Sequence, residues 1–96
     1  MMVLITYDVE TLTPAGARRL RHVAKLCQNY GQRVQNSVFE CVLTPAQFAR
    51  LKGDIVSMID GQKDSVRFYF LGNNWNHKVE SIGKETSFDV ESELII

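Results

Sequence analysis

None of the short patterns that announce the commonest enzymes occurs in these 96 residues: there is no GxSxG elbow, phosphate-binding P-loop, HExxH pair or dinucleotide-binding glycine cluster. Those mechanisms are therefore removed from consideration. Cysteine is scarce, with only Cys27 and Cys41. Both lie among apolar periodic residues, without CxxC spacing or a dense His/Cys cluster, so they read as reduced core residues rather than a disulfide or a zinc site. No basic segment precedes a long apolar run, and Thr6, Tyr7 and Asp8 interrupt the first one. Neither a signal peptide nor a membrane span is expected, and the compartment expected is the cytoplasm, with no membrane partner. Internal repeats and low-complexity tracts are absent as well.

Net charge is also missing, since 11 Lys and Arg balance 11 Asp and Glu. Taken alone, that argues against a generic nucleic-acid binder, which needs a local excess of Lys and Arg to neutralise phosphates. The distribution matters more than the sum. From Pro14 to Asn36 the chain carries Arg18, Arg19, Arg21, Lys25 and Arg33 with no Asp or Glu, whereas from Val79 onward Glu80, Glu85, Asp89, Glu91 and Glu93 face only Lys84. A basic first helix and an acidic tail follow from this polarity. The length allows one compact domain, and a core this small gains from oligomerisation. The domain is expected over residues 1–83, with 84–96 an acidic C-terminal tail whose apolar end, Leu94, Ile95 and Ile96, needs cover from a dimer mate or another partner.

Residues 3–9 form a nearly continuous apolar run, read as a buried central strand. Thr11, Thr13, Pro14 and Gly16 then signal a helix start. Ala17, Leu20, Val23, Ala24, Cys27 and Tyr30 recur at helical spacing, and Gly31 is expected as a left-handed stop. Residues 33–43 read as extended chain with a kink or bulge near Asn36. Thr44, Pro45 and Gln47 form a capping-box start for a second helix, whose stripe is Phe48, Leu51, Ile55, Met58 and Ile59. Val66, Phe68 and Phe70 alternate with Ser65, Arg67 and Tyr69 in a further strand, and residues 77–82 supply one more short strand after a turn. This order predicts an α+β ferredoxin-like sandwich: a mostly antiparallel sheet, two helices on one face and an extra C-terminal strand.

Among the ionisable residues Asp8 is the most informative, because it ends an apolar strand, where a carboxylate is either solvated at a rim or held for a purpose. The plain alternative is a turn-starting Asp, the commoner case in an arbitrary protein. Glu10 is two residues on. One or two carboxylates cannot cage calcium, but magnesium is often held by one or two carboxylates plus waters and substrate phosphates. A two-fold axis beside Asp8 would bring two copies together. Arg18 and Arg21 share a helix face that Lys25 continues, so a phosphate-tracking row and a merely solvated face are equally compatible with the spacing. Phe39, Phe68 and Phe70 read as core before base-stacking groups, and His22 and His77 have no companion at metal or triad spacing.

Three blocks carry a resemblance. Residues 5–9 (Ile-Thr-Tyr-Asp-Val), then 18–25 (Arg-Arg-Leu-Arg-His-Val-Ala-Lys), then 30–41 (Tyr-Gly-Gln-Arg-Val-Gln-Asn-Ser-Val-Phe-Glu-Cys) occur in order and at the right separation. Together they resemble the CRISPR-associated Cas-two family, closely over the first half of the chain and in outline over the second. The resemblance implies a homodimer of ferredoxin-like domains that works with the Cas integrase in acquiring spacers, some members being metal-dependent endonucleases on RNA or duplex DNA. Carried onto this chain, it makes Asp8 the ligand for Mg2+ or Mn2+, with Tyr7 beside it in the catalytic site. Arg33, Ser37 and Phe39 belong to the substrate groove, and Arg18, Arg19, Arg21 and Lys25 supply nucleic-acid contacts, with His22 standing where some relatives carry arginine. Two functional readings follow: a metal-dependent phosphodiesterase, or a non-catalytic dimeric scaffold that holds duplex DNA for a partner integrase. A metabolite-sensing ferredoxin-like domain is a third, and it predicts no salt-dependent DNA affinity.

Overall fold

The computed structural model describes residues 1–9, 12–72 and 79–83. Seven elements follow one another: β1 (Met2–Asp8), α1 (Pro14–Gln28), β2 (Gly31–Gln35), β3 (Val38–Val42), α2 (Pro45–Met58), β4 (Ser65–Leu71) and β5 (Val79–Gly83). The strands make one antiparallel sheet in the order β2-β3-β1-β4-β5. The first four strands and two helices have the ferredoxin-like arrangement expected from the sequence, and β5 extends the sheet beyond β4. None of the described helices is long and apolar enough to cross a membrane. The tail 84–96 and residues 10, 11 and 73–78, which include Glu10 and His77, lie outside the described residues.

β1 is central in the sheet, as expected, but its burial is one-sided: Val3, Ile5 and Tyr7 are buried whereas Met2, Leu4, Thr6 and Asp8 are not. Alternation is inevitable in extended chain, where successive side chains point to opposite faces. Both helices contribute to the one core. Leu20, Val23, Ala24 and Cys27 of α1 and Leu51 and Ile55 of α2 are buried in a single cluster with Val3, Ile5, Phe39, Cys41, Val66 and Phe68. The register places Ile5 opposite Phe39 on one side and Phe68 on the other, so the two rings flank the middle of the core. Among the described residues no second layer covers the other face of the sheet. There Met2, Val42 and Leu71 remain 40%, 65% and 40% exposed.

Local signals explain the helix boundaries. The Thr13 hydroxyl accepts from the Gly16 amide at 3.1 Å and Pro14 opens α1, and the Thr44–Gln47 capping box forms with both of its bonds, at 3.1 and 2.9 Å. These bonds satisfy amides that the first helical turn leaves without partners. Phe48 then packs edge-on against Phe68 and Phe70, with ring centroids 5.3 and 4.9 Å apart, and Lys52 reaches Glu80 at 3.1 Å to tie α2 to β5. Cys27 and Cys41 are buried free thiols, as expected, and the Cys41 thiol donates to the Cys27 carbonyl at 3.5 Å.

The extended stretch expected to carry a kink or bulge near Asn36 is two strands, β2 and β3, joined by a hairpin turn, and the expected irregularity is present as a register shift between Arg33 and Gln35. One expectation here is corrected. Gly31 is not a left-handed helix stop. The helix is capped at Asn29, and Gly31 opens β2 without a positive φ. Glycine is required there because a Cβ would run into the carbonyl oxygen of Glu40 on the paired strand. Since that obstacle is backbone, Gly31→Ala should destabilise the domain by about 2 kcal/mol, or about 10 °C in Tm. Thermal unfolding followed by circular dichroism measures this; an unchanged Tm would show that the hairpin yields freely.

Candidate metal and nucleic-acid site

Asp8 ends β1 with its side chain exposed, in phase with Met2, Leu4 and Thr6 on the uncovered sheet face. Its β4 partner in the ladder is Ser65. Tyr7, one residue earlier, points the other way and is 2% exposed. Its hydroxyl donates to Oδ2 of Asp64 at 2.7 Å, and its amide donates to the Ser37 carbonyl at 2.9 Å. Tyr7 and Asp8 are thus adjacent in sequence and separated by the sheet, so the Tyr7 hydroxyl does not face the surface that Asp8 occupies.

Asp64 lies fully buried just before β4. Besides the Tyr7 hydroxyl, its carboxylate accepts from Arg19 Nε at 2.7 Å, from Arg19 Nη2 at 3.1 Å and from the Asp60 amide at 3.0 Å. Burial alone would push the Asp64 carboxyl up. The bonds from Arg19, Tyr7 and Asp60, with the charge of Arg19, outweigh it and hold the group below the ordinary carboxylate value. Burial, followed by the bond to Asp64 and its charge, pushes the Tyr7 hydroxyl well above its ordinary value, so it stays a donor. The Arg19 guanidinium is pushed up chiefly by its bond to Asp64. Arg19, expected to contact phosphate, turns Nε and Nη2 to Asp64 in this structure.

The remaining nominated residues divide into two groups. Arg33, Ser37 and Phe39 are brought to the β2–β3 hairpin beside the end of β1. Arg33 donates through Nε to the Asn36 carbonyl at 2.7 Å and through Nη2 to that carbonyl and to Asn36 Oδ1, and its guanidinium lies 5.7 Å from the Phe39 ring centroid. Phe39 is wholly buried, so in this arrangement its ring cannot stack on a base. Arg18, Arg21 and Lys25 form the second group, exposed along α1. Among the described residues no ion pair involves any of these three.

Among the described residues no three His, Cys, Asp or Glu side chains cluster closely enough to hold a metal ion. A divalent ion of the magnesium type does not need such a cage, because one or two carboxylates with waters and phosphates suffice. The exposed Asp8 carboxylate at this strand end is of the donor type that Mg2+ and Mn2+ take.

The family model for CRISPR associated protein Cas2 matches residues 1–79, which contain every residue nominated above. This chain belongs to the Cas2 family. The Cas2 relatives include a CRISPR-associated endoribonuclease Cas2 of Nitratidesulfovibrio vulgaris, 56% identical over 96 residues and covering 100% of this chain and 94% of that one. A CRISPR-associated endonuclease Cas2 of Halalkalibacterium halodurans is 59% identical over 95 residues, 99% of each chain. The fold matches the crystal structure of Streptococcus pyogenes Cas2 with a TM-score of 0.75 and 67% identity, covering 78% of this chain and 90% of that one.

Within this Cas2 chain, sequence reasoning missed Asp64 and Asn36. Asp64 stands in a polar stretch, Asp60-Gly61-Gln62-Lys63-Asp64, that reads as an ordinary loop. A signal was nevertheless present. Arg19 is three residues after Gly16 and four before Val23, both buried, so it borders the core stripe of α1, a position that favours pairing the guanidinium with a carboxylate. Asn36 left no comparable mark, since its role is to offer two oxygens to Arg33 across a turn.

Proposed function

We propose that the chain is a divalent-metal-dependent endonuclease of CRISPR adaptation that cuts phosphodiester bonds of duplex DNA or RNA as a homodimer working beside the Cas integrase subunit. The observation that carries the reading is the exposed Asp8 carboxylate at the end of β1, on a sheet face rimmed by Met2, Val42 and Leu71, in a chain whose relatives bear nuclease names. Met2, Val42 and Leu71 give the uncovered face an apolar patch at the end away from Asp8 that suits a copy of itself, and a two-fold contact on this face would supply the second Asp8. We take the compartment to be the cytoplasm, which suits the two free thiols.

The roles divide by position. Asp8 from each subunit holds the Mg2+ or Mn2+ ion. When bound, such an ion supplies Lewis acidity toward a phosphoryl oxygen and activates a water, so no protein nucleophile is required. Arg18, Arg21 and Lys25 neutralise phosphates and orient the duplex without reading bases. Arg33 keeps the Asn36–Ser37 turn closed beside the strand end, and Tyr7 anchors that end from within the core.

The exposed cationic row on α1 also supports the second reading, a DNA-holding scaffold whose partner performs the chemistry. A nuclease assay of wild type and Asp8→Asn on RNA, single-stranded DNA and duplex DNA, with and without Mg2+ or Mn2+, separates the two: an enzyme loses cleavage, a scaffold keeps binding and partner assembly. For either reading, Arg18→Ala with Lys25→Ala should reduce the log–log salt dependence of binding by about two units, one for each phosphate no longer neutralised. Fluorescence anisotropy across a salt series measures the slope. An unchanged slope would mean that the row is only solvated.

A further inference from the structure

Asp64 is the one fully buried carboxylate among the described residues, and four donors from three separate segments converge on it. As a device for stability alone this is expensive, because well-packed apolar groups of the same volume stabilise a core as well as a buried ion pair or better. What a fully satisfied charged network does supply is direction. Asp64 grips the Tyr7 hydroxyl, while the next residue, Ser65, pairs with Asp8 in the ladder. The Ser37 carbonyl takes the Tyr7 amide from the opposite side. Gly83, at φ 97°, packs so closely on the Asp64 carbonyl that a Cβ would collide with it, so the end of β5 backs the same point. The last two residues of β1 are thereby held from the core, from β4 and from the hairpin at once.

We propose that Asp64 is a positioning residue for the Asp8 metal site: through Tyr7 it fixes the strand end from which the Asp8 carboxylate projects. The inference rests on Asp8 being the metal ligand. An ion shared between two protomers tolerates little wander in either carboxylate, and outer groups that orient a ligand commonly change metal affinity by about 10- to 100-fold when altered. Arg19 acts in the same network, holding Asp64 rather than touching substrate. Among Tyr7, Arg19 and Asp64, none reaches the uncovered face, so their influence on metal must pass through backbone orientation.

The test is the Mn2+ affinity of the full-length protein, read by electron paramagnetic resonance of the free ion, for wild type, Asp64→Asn, Tyr7→Phe and Asp8→Asn. Each is measured at a temperature where circular dichroism shows it fully folded. Asp64→Asn should weaken Mn2+ binding by about tenfold or more, and Tyr7→Phe, which removes one hydroxyl and keeps the ring in the core, should weaken it less but in the same direction. The Mn2+ concentration for half-maximal cleavage should rise by the same factors, while the rate at saturating Mn2+ returns to the wild-type level, a split that a general loss of stability would not produce. If Asp64→Asn and Tyr7→Phe bind Mn2+ as wild type does while Asp8→Asn does not, Asp64 is structural only and the Asp8 reading stands. If Asp8→Asn retains Mn2+ binding, both readings fall. Should Asp64→Asn not fold, Tyr7→Phe alone decides.

Discussion

Asp8→Asn should abolish metal-dependent cleavage, by about a thousandfold or more, because the lost ion accounts for several kcal/mol of transition-state charge stabilisation. The substitution is nearly isosteric and sits on an exposed strand end, so the β1 ladder to Ser65 and the core beneath Tyr7 remain as they are. Fold and dimer should therefore survive. Two carboxylates facing each other across a dimer axis repel, so removing both charges should leave association unchanged or strengthen it in the absence of metal. Affinity for nucleic acid, which the proposed reading assigns to Arg18, Arg21 and Lys25, should change little when measured without divalent ions. Cleavage kinetics, light scattering and anisotropy on one preparation check the three parts. An Asn variant that cuts as fast as wild type in Mg2+ or Mn2+ would make Asp8 a turn residue and overturn the nuclease reading.

The parts of the fold legible in the sequence were those written in local chemistry. The Thr44–Pro45–Gln47 start, the Thr13–Pro14 start and the alternation through Val66, Phe68 and Phe70 each depend on neighbours within a few residues, and all three formed as read. The phase of β1 was harder. Leu4 made the run look apolar on both sides, although Val3, Ile5 and Tyr7 already marked one face by alternation and placed Tyr7 opposite Asp8. Non-local partnerships were out of reach for a different reason. Tyr7, Arg19 and Asp64 lie in different segments, Tyr7 57 positions and Arg19 45 positions from Asp64 in the chain. Only the fold joins them, so Arg19 read as one more cation in a basic row. The three arginines of α1 look alike in sequence, and helical phase alone sends one inward and two to solvent.

Removing the carboxylate at position 64 should be the most destabilising of the changes considered. Asp64→Ala deprives the buried Tyr7 hydroxyl of its acceptor, frees Arg19 from its pair and leaves the Asp60 amide without the side chain that caps it. Breaking a buried, hydrogen-bonded pair from one side costs about 3–5 kcal/mol, or about 15 °C or more in Tm for a domain of this length. The effect should depend on pH in a defined sense. The folded protein holds the Asp64 carboxyl below its ordinary value, so the unfolded chain binds the proton more readily. The stabilisation is consequently complete above the unfolded value, about pH 4, and is lost as the pH falls through the lower folded value. The Tm gap between wild type and Asp64→Ala should thus be widest near neutrality and close in acid, whereas a cavity penalty alone would be independent of pH. Differential scanning calorimetry of both proteins across the acid range separates the two contributions. A gap that stayed constant down to the acid limit would show that Asp64 acts by its volume and not by its charge.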